Sequence, residues 1–245
     1  MTLLSKTVRA MPGPSLHLCE EQGEAIASPN LFAGLSDEET ARVFAVSSIE
    51  AYTAGDTVFR QGDHHDGIFI ILAGRVRIYY TGPSGREITL AYWSPGNFIG
   101  GPEIFGGSPH MWSGQAHRPT QVLHVPGGEL LRLIEALPRL AMALIGALVH
   151  KGKCFSGLIQ MLGTRSAAER LAQLLVLMAD FDGRRTPEGV AIVRTMSQED
   201  LAKMIGATRQ WISITLDRFH ENGLVDITPH RILIRDVERL RRLAI

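Results

Sequence analysis

Residues 197–225, "SQEDLAKMIGATRQWISITLDRFHENGLV", contain two short helical patterns separated by a single glycine. Ser197 is placed to cap the first helix, with Asp200 three residues later, and Thr208 is placed to cap the second. Gly206 can supply the left-handed conformation that a tight turn between helices requires. The apolar residues at helical spacing are Leu201, Met204, Ile205, Ile212, Leu216 and Phe219. This pattern predicts a helix–turn–helix.

The exposed start of the second helix carries residue types that read DNA bases. Arginine can be bidentate to guanine and glutamine to adenine, as Arg209 and Gln210 would be in a major groove. A helical hairpin without a role in DNA binding is the alternative, and the agreement of caps, turn and core favours DNA binding. The hairpin pattern that follows, "LVDITPHRILIRD", is suited to a wing. The predicted DNA-binding residues are Ser197, Gln198, Thr208, Arg209, Gln210, Trp211 and Ser213.

Before this module, residues 49–125 alternate short apolar runs with glycine turns, including "DTVFR", "GIFIILA", "LAGR" and "RVRIYYT". Strands at such close spacing predict an antiparallel barrel or roll. A short helix capped by Ser36 and Glu39 precedes it, and residues 1–28 read as a loose N-terminal extension. The glycines expected to need positive φ are Gly55, Gly62, Gly74, Gly82, Gly85 and Gly96.

At Pro138 the pattern changes to one long helix. A charge-free four-three spacing predicts a coiled-coil face, and a helix buried within its own domain is the alternative. This predicted dimer seam consists of Ala141, Ile145, Leu148, Gly152, Phe155, Ile159 and Leu162. The neighbouring register is expected to pack against the roll, interrupted by Lys151; it contains Leu137, Leu140, Leu144, Ala147 and Cys154. A helix capped by Thr164 or Ser166 and a short hairpin, "GVAIVRT", follow.

These patterns divide the chain into four predicted segments, all within an α+β fold. They are the extension (1–28), the roll (29–136), the long helix (137–163) and a winged helix–turn–helix domain (164–245). From Arg165 onward there are 13 Lys and Arg against 11 Asp and Glu, which makes this part mildly basic. A slight basic excess is compatible with binding to nucleic acid.

Composition limits the class of protein. Hydrophobic residues make up 45% of the chain and charged residues 20%, as expected for a globular protein with a core. Cys19 and Cys154 are too few for a disulfide framework or an iron–sulfur site. The apolar run "LAMALIGALV" is too short to span a bilayer, and no secretion signal is recognisable. We therefore expect a cytoplasmic protein without a membrane partner.

Taken together, a glycine-punctuated roll, a long helix and a winged helix–turn–helix resemble the cyclic-AMP receptor/fumarate–nitrate regulator (Crp/Fnr) family of bacterial transcription factors. The resemblance covers about residues 30–243 and is most specific in "AGDTVFRQGDHHDGIFIILAGRV", "NFIGGPEIFGG" and "QEDLAKMIGATRQWIS". It implies a homodimer on a roughly palindromic operator, a small-molecule effector in the roll and, for an activator, contact with RNA polymerase. An enzyme is not expected, since no catalytic motif is present; the regulatory subunit of an enzyme is the alternative from another class.

The resemblance also exposes departures in the sensor. In cyclic-nucleotide-binding members, the glutamate that holds the ribose and the arginine that pairs with the phosphate would fall on Gly101 and Met111. A hydroxyl that contacts adenine would fall on Phe155, with Ser156 beside it. Burying a phosphate without a charge partner costs several kcal/mol, which argues against the usual cyclic-AMP binding. The predicted effector pocket contains Ile99, Gly100, Gly101, Glu103, Met111, Trp112, Ser113, Phe155 and Ser156.

The apolar side chains of this set predict an effector less polar than a cyclic nucleotide, or none if they simply fill the pocket. Glu103 is expected to be buried, where it could move into the ribose role. In the recognition helix, the second arginine of the best-known family pattern falls on Ile214, so the operator should differ from the familiar half-site.

A haem-based gas or redox sensor is a further alternative, since His110, His117 and His124 lie in this half and imidazole can ligate iron. Two of these three histidines are expected to be solvated. The adjacent His64 and His65 of "GDHHDG" are expected to form an exposed turn and not a metal cluster.

Overall fold

The computed structural model describes residues 29–193, 196–228 and 230–244, and it shows an α+β chain. The predicted N-terminal extension and Cys19 lie outside the described residues. The helices are α1 (Asp37–Ala45), α2 (Gly127–Ala136), α3 (Pro138–Thr164), α4 (Ala167–Asp182), α5 (Gln198–Ile205), α6 (Arg209–Glu221) and α7 (Val237–Leu243). The strands are β1 (Ser48–Tyr52), β2 (Thr57–Phe59), β3 (Ile68–Thr81), β4 (Glu87–Trp93), β5 (Phe98–Ile99), β6 (Ser113–Val125), β7 (Arg184–Thr186), β8 (Gly189–Val193), β9 (Val225–Ile227) and β10 (Arg231–Ile234).

The chain forms two compact units, and the division between them falls within α3, after Cys154. The first unit holds the roll and most of α3. The second holds the end of α3 and all later elements. The four predicted segment boundaries stay predictions.

The first unit is built on an antiparallel sheet, as predicted. Its strand order is β1-β6-β3-β4, with β2 paired to β6 and β5 paired to β3. The two longest strands, β3 and β6, run side by side from the pair Ile68–Val125 to the pair Tyr79–Ser113. This long pairing forms the frame that carries the short strand β5 and the glycine-rich turn after it.

The predicted turn "LAGR" is wrong, because β3 continues through it as one strand of 14 residues. Its pairing register with β6 shifts around Gly74, which has φ 92° and lies inside the strand. A β-carbon at Gly74 would lie 2.5 Å from the Pro119 carbonyl oxygen, so the glycine permits a bulge and not a chain reversal. Gly82 was expected at positive φ and is not among the positive-φ glycines, whereas the other five are.

The core of this unit contains one face of α3. Leu140, Leu144 and Ala147 of α3, with Leu137 just before the helix, are buried with roll residues such as Ile70 in a single cluster, as the sequence register predicted. Fully burying a leucine contributes about 1.5–3 kcal/mol, so this face holds the helix firmly against the sheet. The predicted capping box of α1 is confirmed, with Ser36 accepting from the Glu39 N–H.

The second unit combines a four-stranded sheet, in the order β7-β8-β10-β9, with helices α4 to α7. Ser166 and Glu169 form the capping box of α4, which decides between the two predicted caps. Thr164 belongs to α3, where its hydroxyl donates to the Gln160 carbonyl. Both predicted hairpins are present, and α7 was not predicted.

Helix α3 is the one described helix that is long and apolar enough to cross a membrane by length and composition, at mean hydropathy 1.2. The sequence stretch considered for a bilayer was shorter, at ten residues. A helix that packs in the core of a protein can have the same length and composition.

Candidate functional site

The helix–turn–helix has the local geometry that its capping residues predict. Ser197 accepts from the Asp200 N–H, and the Asp200 side chain accepts from the Ser197 N–H, which begins α5. Gly206 ends α5 in the left-handed conformation, with φ 68° and ψ 35°. Thr208 then accepts from the Trp211 N–H at 3.2 Å and begins α6.

Helix α6 buries one face and exposes the other. Its buried residues are Ile212, Thr215, Leu216 and Phe219. Arg209 and Gln210 are exposed at its N-terminal end, and Trp211 and Ser213 are half-buried beside them. Of the other predicted contact residues, Ser197 and Thr208 are exposed but act as caps, and Gln198 is half-buried.

Ile214 was not in the predicted DNA-contact set, yet it is 51% exposed, one turn after Gln210. A large apolar side chain left in solvent on a helix that begins with Arg209 and Gln210 extends the candidate DNA surface. In the sequence, position 214 stood out only because isoleucine occurs there in place of the second arginine of the family pattern.

The wing is connected to α6 by an ionic cluster around Asp226. The Arg235 Nε donates to the Asp226 carboxylate at 2.7 Å, and His220 Nδ1 lies 3.1 Å from the same carboxylate. A hydrogen bond from Arg235 lowers the pKa of Asp226 below its usual range. The charges of Arg235 and His220 act in the same direction. Asp226 on β9 is thereby linked to both the wing and the end of α6.

In the roll, the glycine-rich turn begins at the buried strand β5. Gly100 and Gly101 follow with φ 137° and 152°, a conformation that side chains rarely adopt. A β-carbon on Gly101 would lie 3.4 Å from His65 Nε2. The backbone at the position that would carry a ribose-binding glutamate therefore has a conformation that suits glycine.

Several predicted pocket residues are not enclosed. Glu103 is exposed, so the expectation of a buried carboxylate is wrong. Met111 is 56% exposed because it lies in the bend before β6 begins, outside the sheet; the expected apolar lining therefore loses this member. Trp112 is half-buried.

The remaining members of the predicted pocket lie in two places. Ile99, Gly100, Gly101 and Ser113 are buried in the roll. Ser113 Oγ accepts from the Gln61 N–H at 3.0 Å, which fixes Ser113 to the segment that follows β2. Phe155 is half-buried and Ser156 exposed, and both lie on α3 in the second unit.

His65 is buried, which contradicts the expected exposed turn for that residue; His64 is exposed. The imidazole ring centre of His65 lies 4.3 Å from that of His110, and the Gly107 N–H donates to the His65 carbonyl. The glycines of the two turns let the loops close over this side chain. Burial and the neighbouring His110 lower the pKa of His65 to about 4.

The three histidines considered for haem do not fit such a group well. His110 is buried, with Nδ1 2.6 Å from the Gly100 carbonyl and its ring stacked on Phe59 at 4.4 Å. His124 is half-buried, and Nε2 and Nδ1 lie near the Asp66 carbonyl and the Glu50 carboxylate. His117 is half-buried and faces the Tyr92 ring. No group of three or more metal-ligating side chains occurs in the described ranges.

The structure also shows a cationic site that sequence reasoning missed. Lys151 Nζ lies 3.6 Å from the centre of the Trp93 ring and 4.8 Å from that of Phe98. Burial lowers the pKa of Lys151 to about 7. The signal available in the sequence was a lysine within the otherwise apolar register between Ala147 and Cys154.

The predicted seam on α3 is largely exposed in the single chain. Ile145 and Ile159 are 53% and 70% exposed, and Leu148 is also exposed. Met142 and Val149, outside the predicted seam, add to this apolar surface. Gly152 is exposed, whereas Ala141, Phe155 and Leu162 are half-buried.

Comparisons with known proteins match both units. A model of the cyclic nucleotide-binding domain matches residues 49–136, and a model of the Crp-like helix-turn-helix domain matches residues 169–243. The CRP-like cAMP-activated global transcriptional regulator of Mycobacterium tuberculosis is 25% identical over 221 residues, which cover 90% of this chain and 99% of that protein. The cyclic AMP receptor protein of Thermus thermophilus is 26% identical over 214 residues, covering 87% and 96%.

The solved structures give the same fold. A variant of CooA from Carboxydothermus hydrogenoformans matches with a TM-score of 0.76 at 24% identity, covering 88% of this chain and 96% of that one. The predicted fold, a cyclic-nucleotide-binding-type roll followed by a long helix and a Crp-like helix–turn–helix, is confirmed.

Proposed function

The chain belongs to the Crp/Fnr family of DNA-binding transcription regulators, and we propose that it acts as a cytoplasmic homodimer that binds a roughly palindromic operator. The single observation that carries this proposal is α6, which exposes Arg209 and Gln210 at its capped N-terminal end and buries its opposite face. That arrangement suits a recognition helix in a major groove. An activating role would add RNA polymerase as a partner.

The exposed apolar surface of α3 supports the homodimer. Ile145, Leu148 and Ile159 lie at coiled-coil spacing and are exposed in one chain. A contiguous apolar surface of this kind marks an interaction site, and a second copy of the same helix would cover it. It also accounts for the high hydropathy of α3 without a membrane.

The operator should differ from the familiar half-site of the family. Ile214 takes the place of an arginine and is exposed, so this position offers an apolar surface in place of a charged donor. Apolar side chains in a major groove contact the methyl group of thymine. Specificity at this position should therefore depend on a methyl group and not on guanine.

The roll is proposed to sense an effector other than cyclic AMP in the usual mode. Gly101 has a backbone conformation that a glutamate would rarely adopt, and Met111 stands at the position of the phosphate-binding arginine. Buried Ile99 and half-buried Trp112 beside this turn support a ligand less polar than a cyclic nucleotide. A roll that needs no effector is the other outcome of the same geometry.

Arg209→Ala tests the recognition helix. The variant should lose about 1–3 kcal/mol of binding to its selected operator, because a bidentate base contact is removed, while binding to random DNA falls much less. Selection from a random DNA pool would identify the operator, and fluorescence anisotropy at moderate salt would measure both affinities. Arg218→Ala, an exposed arginine in the last turn of the same helix, is the matched control. Unchanged selectivity in Arg209→Ala would place the DNA surface elsewhere.

A further inference from the structure

Lys151 is an unusual residue for its position on α3. It occupies the register whose other members, including Leu144, Ala147 and Cys154, are buried in the first unit. The Lys151 side chain as a whole is half-buried, and its ammonium group, which lies on the Trp93 ring, loses hydration that an apolar side chain there would not need. The presence of a charge at this position therefore requires a reason other than packing.

The aromatic rings beside Lys151 stabilise its charge only in part. Nζ lies over the Trp93 ring at 3.6 Å and near the Phe98 ring at 4.8 Å, both within cation–π range. None of the described residues contributes a carboxylate to Lys151, and Cys154 on the same helix is the one group whose charge favours the ammonium form. Trp93 and Phe98, the two described rings of the roll within cation–π range, carry no charge and do not act as a counter-ion.

The Lys151 amine lies near the strand that precedes the glycine-rich turn of the roll. Phe98 is the first residue of β5, and Gly100 follows it by two positions, so their Cα atoms are at most ~7 Å apart. The amine thus lies against β5, the strand that leads into the glycine-rich turn. That turn contains no arginine. All of these residues belong to the first unit.

We infer that Lys151 is the charge partner of an anionic effector of the roll, a small organic monoanion with an apolar body. This inference rests on the proposed sensor function of the same domain and names the chemistry of its ligand. A single negative charge matches the single cation, and the surrounding aromatic rings favour an apolar body over a multiply charged phosphate. The cation comes from the long helix in place of an arginine in the turn.

A bound anion should raise the pKa of Lys151, which burial otherwise lowers to about 7. Near pH 7, part of the Lys151 amine is neutral in the free protein and becomes protonated when the anion binds. Binding therefore takes up a fraction of a proton and weakens as the pH rises above 7. A lysine with a purely structural role would produce neither effect.

Isothermal titration calorimetry on the full-length protein without DNA tests this inference. Benzoate is the probe, benzyl alcohol its neutral analogue and inorganic phosphate the multiply charged anion, each in two buffers of different ionisation enthalpy. Benzoate should bind with proton uptake, and more tightly than benzyl alcohol. Phosphate bound more tightly than benzoate would contradict a monoanion with an apolar body. Benzyl alcohol binding as tightly as benzoate, or no binding by either anion, would overturn the inference.

Benzoate binding to variants at Lys151 provides a second test of the inference. Lys151→Met should weaken benzoate binding by about tenfold or more, since one charge-assisted contact is lost. Lys151→Arg should retain binding without proton uptake, because a guanidinium stays charged, and it also serves if the methionine variant does not fold. Lys153→Met, an exposed lysine on the same helix, should bind as the wild type does. Equal binding by Lys151→Met and wild type would contradict the inference, whereas failure of operator binding in a separate assay would bear only on the proposed function.

Discussion

At the scale of single residues, exposure and burial of polar side chains separate the two candidate sites. Arg209 and Gln210 are exposed, as a local capping pattern can predict, because their positions on α6 depend on the helix alone. His65 is buried although it lies in a polar turn, since loops distant in sequence close over it. Exposure that a single helix sets was therefore easier to predict than burial or exposure in the loops, where Glu103 was also predicted wrongly.

His65 should make the stability of the protein sensitive to acid. Its pKa is lowered to about 4 in the folded state, below the usual value of 6.5, so the unfolded chain binds a proton more readily. Its stabilising contribution is present above pH 6.5 and is lost as the pH falls toward 4. The free energy of unfolding should decrease by about 3 kcal/mol across this window because of His65.

His65→Leu should flatten that dependence, measured by urea denaturation between pH 4 and pH 7. His150 has the same lowered pKa, so part of the slope should remain in the variant. His64→Leu removes the exposed neighbour, whose charge has the smallest effect on the pKa of His65, and should change the slope little. A slope in His65→Leu equal to that of the wild type would assign the acid sensitivity to other groups.

At the scale of helices and strands, local patterns predicted those elements that carry their own end signals. The capping boxes at Ser36, Ser166 and Ser197 each mark a helix that is present. Helix α2 was missed because its N-cap, Pro126, makes no side-chain cap hydrogen bond, and burial of Leu130 and Leu133 stabilises it instead. The break expected near Gly74 was also wrong, because pairing with β6 continues through the bulge.

Gly206→Ala should destabilise the second unit by about 1–2 kcal/mol, because alanine in the left-handed conformation is strained. Space is not the cause: an added β-carbon would make an ordinary contact with Leu162 at 3.5 Å. Thermal or urea denaturation would measure the change, and Gly206→Asn should cost less. Gly146→Ala, in the open helical part of α3, should instead raise stability slightly. A neutral Gly206→Ala would show that the turn relaxes without strain.

At the scale of the whole molecule, α3 serves two kinds of packing. Its Leu140 and Leu144 face is buried in the first unit, whereas Ile145, Leu148 and Ile159 remain exposed. A spacing pattern indicated both faces. The sequence assigned the face interrupted by Lys151 to the roll, and its burial in the first unit's core confirms that prediction.

Leu148→Glu should convert the protein to monomers, because a charge would be buried at the centre of the proposed dimer seam. Sedimentation velocity would report the change, and operator affinity should fall with it, since one recognition helix covers only half of a palindrome. Leu131→Glu alters another exposed leucine, on α2, and should stay dimeric. A Leu148→Glu dimer with unchanged affinity would contradict the seam.

The sequence by itself determined the order roll, long helix and helix–turn–helix, the caps of α1, α5 and α6 and the loss of charged groups at Gly101 and Met111. These features depend on residue type and on spacing within a few positions, which local interactions decide. Only the tertiary structure decided that His65 is enclosed, that Met111 and Glu103 are exposed, and that Lys151 lies on the Trp93 ring. These depend on contacts between segments far apart in the chain, and burial there is set by the packed fold and not by the residue type.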